Sequence, residues 1–197
     1  MAGIVLAGGR SSRFGRDKLA EPYEGRPLLQ HPVSRLLEVC DRVVVVLAPG
    51  AEEPPMPAGT EVTFARDAIE GEGPLRGLSA GLEVAKAEWV VLAGGDMPDL
   101  QPAVLQEMLR AGSETGVVAV TLSDGGTERP LPSVLRTIPA TDAARALLEA
   151  GRRSLRDLLA VVATVVVDEP TWTALDPERR TLMDVDAPTD MDRLTRG

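Results

Sequence analysis

Six short apolar runs punctuate the chain: GIVLA at 3–7, RVVVVLA at 42–48, EVTFA at 61–65, EWVVLA at 88–93, GVVAVTL at 116–122 and TVVVD at 164–168. Most are continuous rather than alternating, the pattern of strands covered on both faces. Segments with helical spacing lie between them. In LRGLSAGLEVA, Leu75, Leu78, Leu82 and Ala85 fall on one stripe. QPAVLQEMLRAG, from Gln101, has Pro102 where a first turn tolerates it and a glycine at its stop; ATDAARALLEAG, ending at Gly151, repeats the glycine stop. The alternation predicts an α/β fold with a mainly parallel sheet and right-handed crossovers. Two segments break the rhythm. PGAEEPPMPAGT (49–60) holds four prolines and reads as an extended connection. SDGGTERPLPSVLR (123–136) reads as a turn and a strand, whose Pro130 and Pro132 suit a sheet edge or the rim of a site. No repeat appears, and residues 1–197 are expected to form one domain.

Composition narrows the function. The formal charge is −9 and aromatics make up 3% of residues, which opposes non-specific binding to nucleic acid or anionic lipid and leaves few bases-stacking platforms. Cys40 and His31 are the only residues of their types. An intrachain disulfide and a Cys/His zinc site are therefore excluded. No apolar run is long enough to span a bilayer, and no basic region precedes a signal-type segment, so a cytoplasmic protein is expected.

Against that acidic background the first strand runs into a cationic loop, LAGGRSSRFGRDK (6–18), with Arg10, Arg13, Arg16 and Lys18. Ligands of open α/β sheets bind at the carboxyl ends of strands. There Gly8 and Gly9 let a ligand approach the backbone amides, Arg13 offers a planar fork and Lys18 a mobile point charge, a set suited to a triphosphate. The spacing fits neither GxxxxGK[ST] nor GxGxxG. A second strand ends in GGDMPDL, delivering Asp96, a carboxylate able to hold Mg2+ against phosphates. Asp67 follows a third strand and precedes GEGPLRGL, whose Pro74 opens a helix.

LAGGRSSRFGRDK resembles the signature of the molybdenum cofactor guanylyltransferases, LAGG-x-S-x-R-M-G-x-D-K, matching at Leu6, Ala7, Gly8, Gly9, Ser12 or its neighbour Ser11, Arg13, Gly15, Asp17 and Lys18, with Phe14 in place of methionine. The likeness continues through most of the chain. EGRPLLQHPVSRL (24–36) is similar to the GKPL segment that opens a helix, RDAIEGEGPLRGL (66–78) to D…GPLAGL, and GGDMPDL to C-D-x-P with Gly95 for the cysteine. RPLPSVLR (129–136) resembles a segment beside the acceptor pocket, and GRRSLRDLL (151–159) another family segment, although Ser154 and Asp157 also make a capping box. MDVDAPTDM (183–191) stands where the family has N-x-N-T-P-E-D-L, so Asp184 and Asp186 replace two asparagines, as in related cytidylyltransferases.

The resemblance implies a single-domain, three-layer α/β/α nucleotidyltransferase fold with a mainly parallel mixed sheet. It implies transfer of GMP from GTP to molybdopterin with release of pyrophosphate and Mg2+ as cofactor. Lys18, Arg13 and Asp96 carry the chemistry on this reading. Leu6, Ala7, Gly8, Gly9, Lys18, Asp67 and Asp96 hold the nucleotide; Arg13, Pro98, Asp184 and Asp186 border the acceptor; Asp96 binds the metal. Partners would be the substrates and, beyond them, other cofactor-biosynthesis proteins or recipient apo-enzymes, with no nucleic acid and no membrane. The LAGG tetrad favours a purine, whereas the two aspartates leave a CTP-dependent molybdopterin cytidylyltransferase open; a non-catalytic nucleotide-binding adaptor is the alternative of another class. His31 is read as structural.

Overall fold

The computed structural model describes residues 1–8, 18–67, 71–114, 116–187 and 190. In chain order these form β1 (Ala2–Leu6), the small strands β2 (Pro22–Tyr23) and β3 (Arg26–Pro27), α1 (Gln30–Leu37), β4 (Arg42–Leu47), β5 (Val62–Arg66), α2 (Pro74–Ala85), β6 (Trp89–Gly94) and α3 (Pro102–Gly112). There follow β7 (Ala119–Asp124), β8 (Thr127–Arg136), α4 (Thr137–Glu149), α5 (Leu155–Val161), β9 (Thr164–Val167) and α6 (Glu169–Leu175). All six apolar runs are strands of one seven-stranded sheet, ordered β5-β4-β1-β6-β8-β7-β9. Only β8 runs against the other six.

Continuous apolar strands supply both faces of this sheet. Val5, Val43, Val45, Val91 and Ala93 pack with α1 and α3, along with Trp172 of α6. Ile4, Val44, Val46, Val90 and Leu92 point the other way, onto α2, α4 and α5. The stripe Leu75, Leu78, Leu82 and Ala85 is buried throughout, as its spacing predicts. The result is the expected three-layer α/β/α arrangement.

Three local expectations change. Of the two places expected for Pro130 and Pro132, the edge is not the one: Leu131 between them lines a cleft, while their strand lies inside the sheet, between β6 and β7. Its prolines are tolerated because they fall at a register shift: β7 pairs Thr121 with Ser133 and then Leu122 with Arg129, while pairing with β6 begins only at Ser133. Helix α4 starts at Thr137, earlier than the ATDAARALLEAG pattern indicated. At α5, Ser154 Oγ accepts from the Arg156 amide and Asp157 takes the Ser154 amide, so the cap forms with the hydroxyl on the second helical amide.

The sheet order places the site. From β1 the chain moves outward to β4 and β5, then returns to β6 on the other flank of β1. This reversal is a topological switch point, and ligands of such sheets bind there, in the crevice at the carboxyl ends of the strands. The two strands are paired up to Leu6 and Gly94, and the Gly95 amide donates to the Leu6 carbonyl at 3.0 Å. Among the described residues no helix is long and apolar enough to cross a membrane.

Candidate active site

Lys18 enters on a turn of 3-10 helix, Lys18–Ala20. That turn is fixed by the next residue: Leu29 donates its amide to the Leu19 carbonyl at 3.1 Å, and Leu19 packs against a small cluster of Tyr23, Leu28 and Val185. The same cluster brings the 183–186 segment to the crevice, because Val185 is fully buried and its amide donates to the Asp96 carbonyl at 2.9 Å. Three segments distant in sequence therefore meet. The β2–β3 hairpin stiffens the arrangement. Glu24 and Gly25 turn it with positive φ at both positions, and the Tyr23 hydroxyl donates to Asp99 at 3.3 Å.

At the centre the Lys18 ammonium donates to Asp96 Oδ2 at 2.7 Å and to the Val185 carbonyl at 2.8 Å, with Asp186 Oδ1 at 3.7 Å. Lys18 is the more enclosed partner, its side chain 16% exposed against 28% for Asp96. The Asp96 carboxylate fits because residue 94 is glycine: a Cβ there would lie 2.5 Å from Asp96 Oδ1. At Gly95, where the resembling family has cysteine, a Cβ would sit 3.1 Å from Leu19 and 3.2 Å from Leu29, so the missing side chain lets the Lys18 turn settle close. Asp184 joins the acid group. Its carboxyl is pushed above the usual carboxylate range, first by crowding that removes water and then by Asp186 and Asp96.

Beside the pair lies a cleft of about 670 Å3 whose wall includes Leu6, Gly8, Ala48, Asp67, Gly73, Pro74, Gly77, Gly94 and Asp96. Such a volume suits a nucleotide-sized ligand. Asp67 continues the β4–β5 ladder, its amide donating to Leu47 at 2.9 Å, which sets it at the strand end. Pro74 opens α2 toward the cleft, and the preceding turn is pinned from outside: Gly73 has φ +86 and a Cβ there would meet the Arg153 carbonyl at 2.8 Å.

The structure thus gathers Leu6, Gly8, Asp67 and Asp96 on one wall and sets Lys18, Asp184 and Asp186 next to Asp96. Ala7 and Pro98 are off that wall: the Ala7 amide donates to Val46 at 2.8 Å, and Pro98 is buried in the turn after Asp96. Gly9 and Arg13 lie outside the described residues. His31 is structural, as expected. Its Nε2 meets the Tyr23 carbonyl at 2.8 Å, its Nδ1 lies 3.3 Å from Arg26, and burial holds its pKa below the usual imidazole value. The Val185 carbonyl and the Leu19 anchor are site elements that residue types could not announce, since one is backbone and the other an ordinary leucine.

Hard oxygen donors at this tip suit a hard divalent cation. Among the described residues no three His, Cys, Asp or Glu side chains could hold a metal by themselves. Asp96 fits such a cation where phosphate oxygens and water complete the shell, a common donor set for Mg2+.

The sequence matches the family described as MobA-like NTP transferase domain over residues 3–166. The molybdenum cofactor guanylyltransferase of Pseudomonas entomophila is 36% identical over 159 residues, 79% of this chain and 80% of its own. A relative from Mycolicibacterium paratuberculosis, named probable molybdenum cofactor guanylyltransferase, is 39% identical over 165 residues, 81% of this chain and 80% of its own. The crystal structure of molybdopterin-guanine dinucleotide biosynthesis protein A from Archaeoglobus fulgidus has the same fold, with a TM-score of 0.78 at 22% identity, covering 98% of this chain and 96% of that one. On the match over residues 3–166 and these identities, the chain belongs to the MobA-like NTP transferase family.

Proposed function

We propose that this protein transfers GMP from GTP to the terminal phosphate of molybdopterin, releasing pyrophosphate. The observation that carries the reading is the 2.7 Å contact between Lys18 and Asp96 at two adjacent strand tips beside a nucleotide-sized cleft. Guanosine lies against Leu6 and Gly8 of the cleft wall, with Asp67 accepting hydrogen bonds from base or ribose; the family pattern would extend the contact to Ala7 and Gly9. Asp184 and Asp186 border the acceptor side, and the buried Pro98 shapes the turn that carries Asp96.

In the reaction a phosphate oxygen of the acceptor attacks the α-phosphorus of GTP. The bond from α-phosphorus to the bridging oxygen breaks, and the electron pair leaves with pyrophosphate. The attacking oxygen is already anionic, so no side-chain base is needed, which accords with a chain whose one histidine is structural. Catalysis is then alignment and charge neutralisation. Lys18 exchanges protein acceptors for α-phosphate oxygens, the Val185 carbonyl keeps the ammonium aimed as it does so, and Arg13 would add a second cation by the family pattern. Asp96 holds Mg2+, whose chemistry when bound is to neutralise the departing phosphates.

Asp184 and Asp186 at the acceptor side keep a CTP-dependent enzyme on the same acceptor as the second reading. A matrix of GTP, CTP and ATP against molybdopterin, read by pyrophosphate release in Mg2+, tests both. Release with GTP and molybdopterin only is the expected result. Preference for CTP overturns the guanine assignment, and nucleotide binding without release under any pairing favours the adaptor.

A further inference from the structure

We propose that Asp99 is a positioning residue for Lys18, tying the β2–β3 hairpin and the 180–185 segment to the turn that carries Asp96. The inference rests on the reading above in which Lys18 works on the α-phosphate. Asp99 falls one residue past the stretch that is similar to C-D-x-P, so the resemblance gives it no role. It is nevertheless a carboxylate buried to 6% exposure, close after Asp96 in the chain and outside the reacting groups.

A buried carboxylate is costly unless fixed partners face it. Burial pushes the Asp99 carboxyl above the usual carboxylate range, and Arg180 is the largest influence drawing it back. Two partners from distant parts of the chain meet on one oxygen. The Tyr23 hydroxyl of β2 donates to Asp99 Oδ2 at 3.3 Å, and Arg180 Nη1 forms an ion pair with the same atom at 3.7 Å.

Both partners lead to Lys18. Tyr23 packs with Leu28 and Val185, and Leu19, the neighbour of Lys18, packs against that cluster. The ring therefore sets the Lys18 turn against the residue whose carbonyl takes the ammonium. Arg180 opens the short turn Arg180–Leu182, whose backbone is fixed by the buried Asp176: its oxygens accept from the Arg180 and Thr181 amides at 3.1 and 2.7 Å. That turn and its continuation dock on the Asp96 loop through Arg180 on Asp99, the Gln101 amide on the Thr181 hydroxyl at 3.2 Å, and the Val185 amide on the Asp96 carbonyl at 2.9 Å. Asp99 joins the hairpin and this segment through one polar group. Without it the Lys18 turn and the Val185 carbonyl lose a shared anchor, and the ammonium no longer meets Asp96 at a fixed place.

The test compares wild type with Asp99→Ala and Asp99→Asn, the second of which keeps an acceptor for Tyr23 but not the charge facing Arg180. Displacement of the ammonium should lower kcat roughly 10- to 100-fold in D99A, with part recovered in D99N, while the KM for GTP stays at its wild-type value. Because Asp99 acts through Lys18, adding D99A to Lys18→Ala should slow single-turnover pyrophosphate release no further, where independent effects would multiply. A double variant slower than Lys18→Ala, or a D99A protein with wild-type kcat, overturns the inference. A substrate-free readout separates it from the choice of reaction. Lys18 and Lys86 are the only lysines of the chain, and Lys86 is exposed just past the end of α2 remote from the cleft, an internal reference. Acetylation by dilute acetic anhydride, read by peptide mass spectrometry, should modify Lys18 about 5-fold faster relative to Lys86 in D99A than in wild type. A raised ratio supports the inference even if GTP and molybdopterin prove the wrong pair; an unchanged ratio in folded D99A overturns it whatever the donor nucleotide. Should D99A fail to fold, Tyr23→Phe, which loses only the hydroxyl, should raise the same ratio, and an unchanged one overturns the inference.

Discussion

Replacing Gly94 with alanine probes the site without touching a charged group. Gly94 ends β6, and its backbone is not in the left-handed region, so alanine can adopt it without strain. The added methyl would nonetheless lie 2.5 Å from Asp96 Oδ1, at least about 0.5 Å inside the 3.0 Å that real Cβ contacts respect. Retreat to the other side is limited, because Met97 Cγ and Sδ stand 3.3 and 3.5 Å from the same point. The carboxylate must therefore shift, and the 2.7 Å bond to Lys18 shifts with it. A misplacement near 1 Å can cost about 10²-fold in rate, so kcat should fall by roughly 10- to 100-fold. The assay is pyrophosphate release at saturating GTP, Mg2+ and acceptor, alongside a thermal melt that should move little. A folded Gly94→Ala protein with wild-type kcat would refute the claim that the Asp96 position governs turnover.

Lys18→Ala and Asp96→Ala should each slow the chemical step by roughly 10²- to 10³-fold while the protein stays folded, checked by rapid-quench single turnover and circular dichroism. Full turnover by Asp96→Ala in Mg2+ refutes its metal role. The buried His31, faced by Arg26, Glu24 and Asp99, has its pKa lowered by desolvation, so it favours the neutral form when folded. Its contribution is present in full above about pH 6.5 and is lost as pH falls through the folded value. Urea midpoints taken from pH 8 to 5 should fall more steeply for wild type than for His31→Gln; parallel curves contradict this. Cys40 is buried, and burial pushes its thiol up to about 12, so native protein should resist iodoacetamide at pH 8 and react once unfolded in urea, as mass spectrometry can show.

How much of this was legible in the chain depends on what kind of force sets each part. The strands and the α2 stripe were, because continuous burial on both sheet faces selects continuous aliphatic runs. Lys18 and Asp96 were as well: each follows a run that must become a strand, and parallel strands bring their carboxyl ends to one edge. The β2–β3 hairpin was not, since a two-residue turn with Glu24 at positive φ carries no strong turn signal and its strands are too short to show a period. The interior place of β8 was hidden by Pro130 and Pro132, which indicate an edge unless the register shift that accommodates them is known. The Val185 carbonyl is backbone, so only the tertiary packing of Tyr23, Leu28 and Val185 reveals that it aims Lys18.

The most direct measurement is a crystal structure of the protein with GTP and Mn2+ in place of Mg2+, with the metal located by its anomalous signal. The account predicts the metal bonded to the Asp96 carboxylate and to phosphate oxygens, with the Lys18 ammonium moved from Asp96 onto the same polyphosphate. GTP seated away from the 6–9 backbone, or a metal with no bond to Asp96 while Lys18 keeps its carboxylate partner, would contradict it.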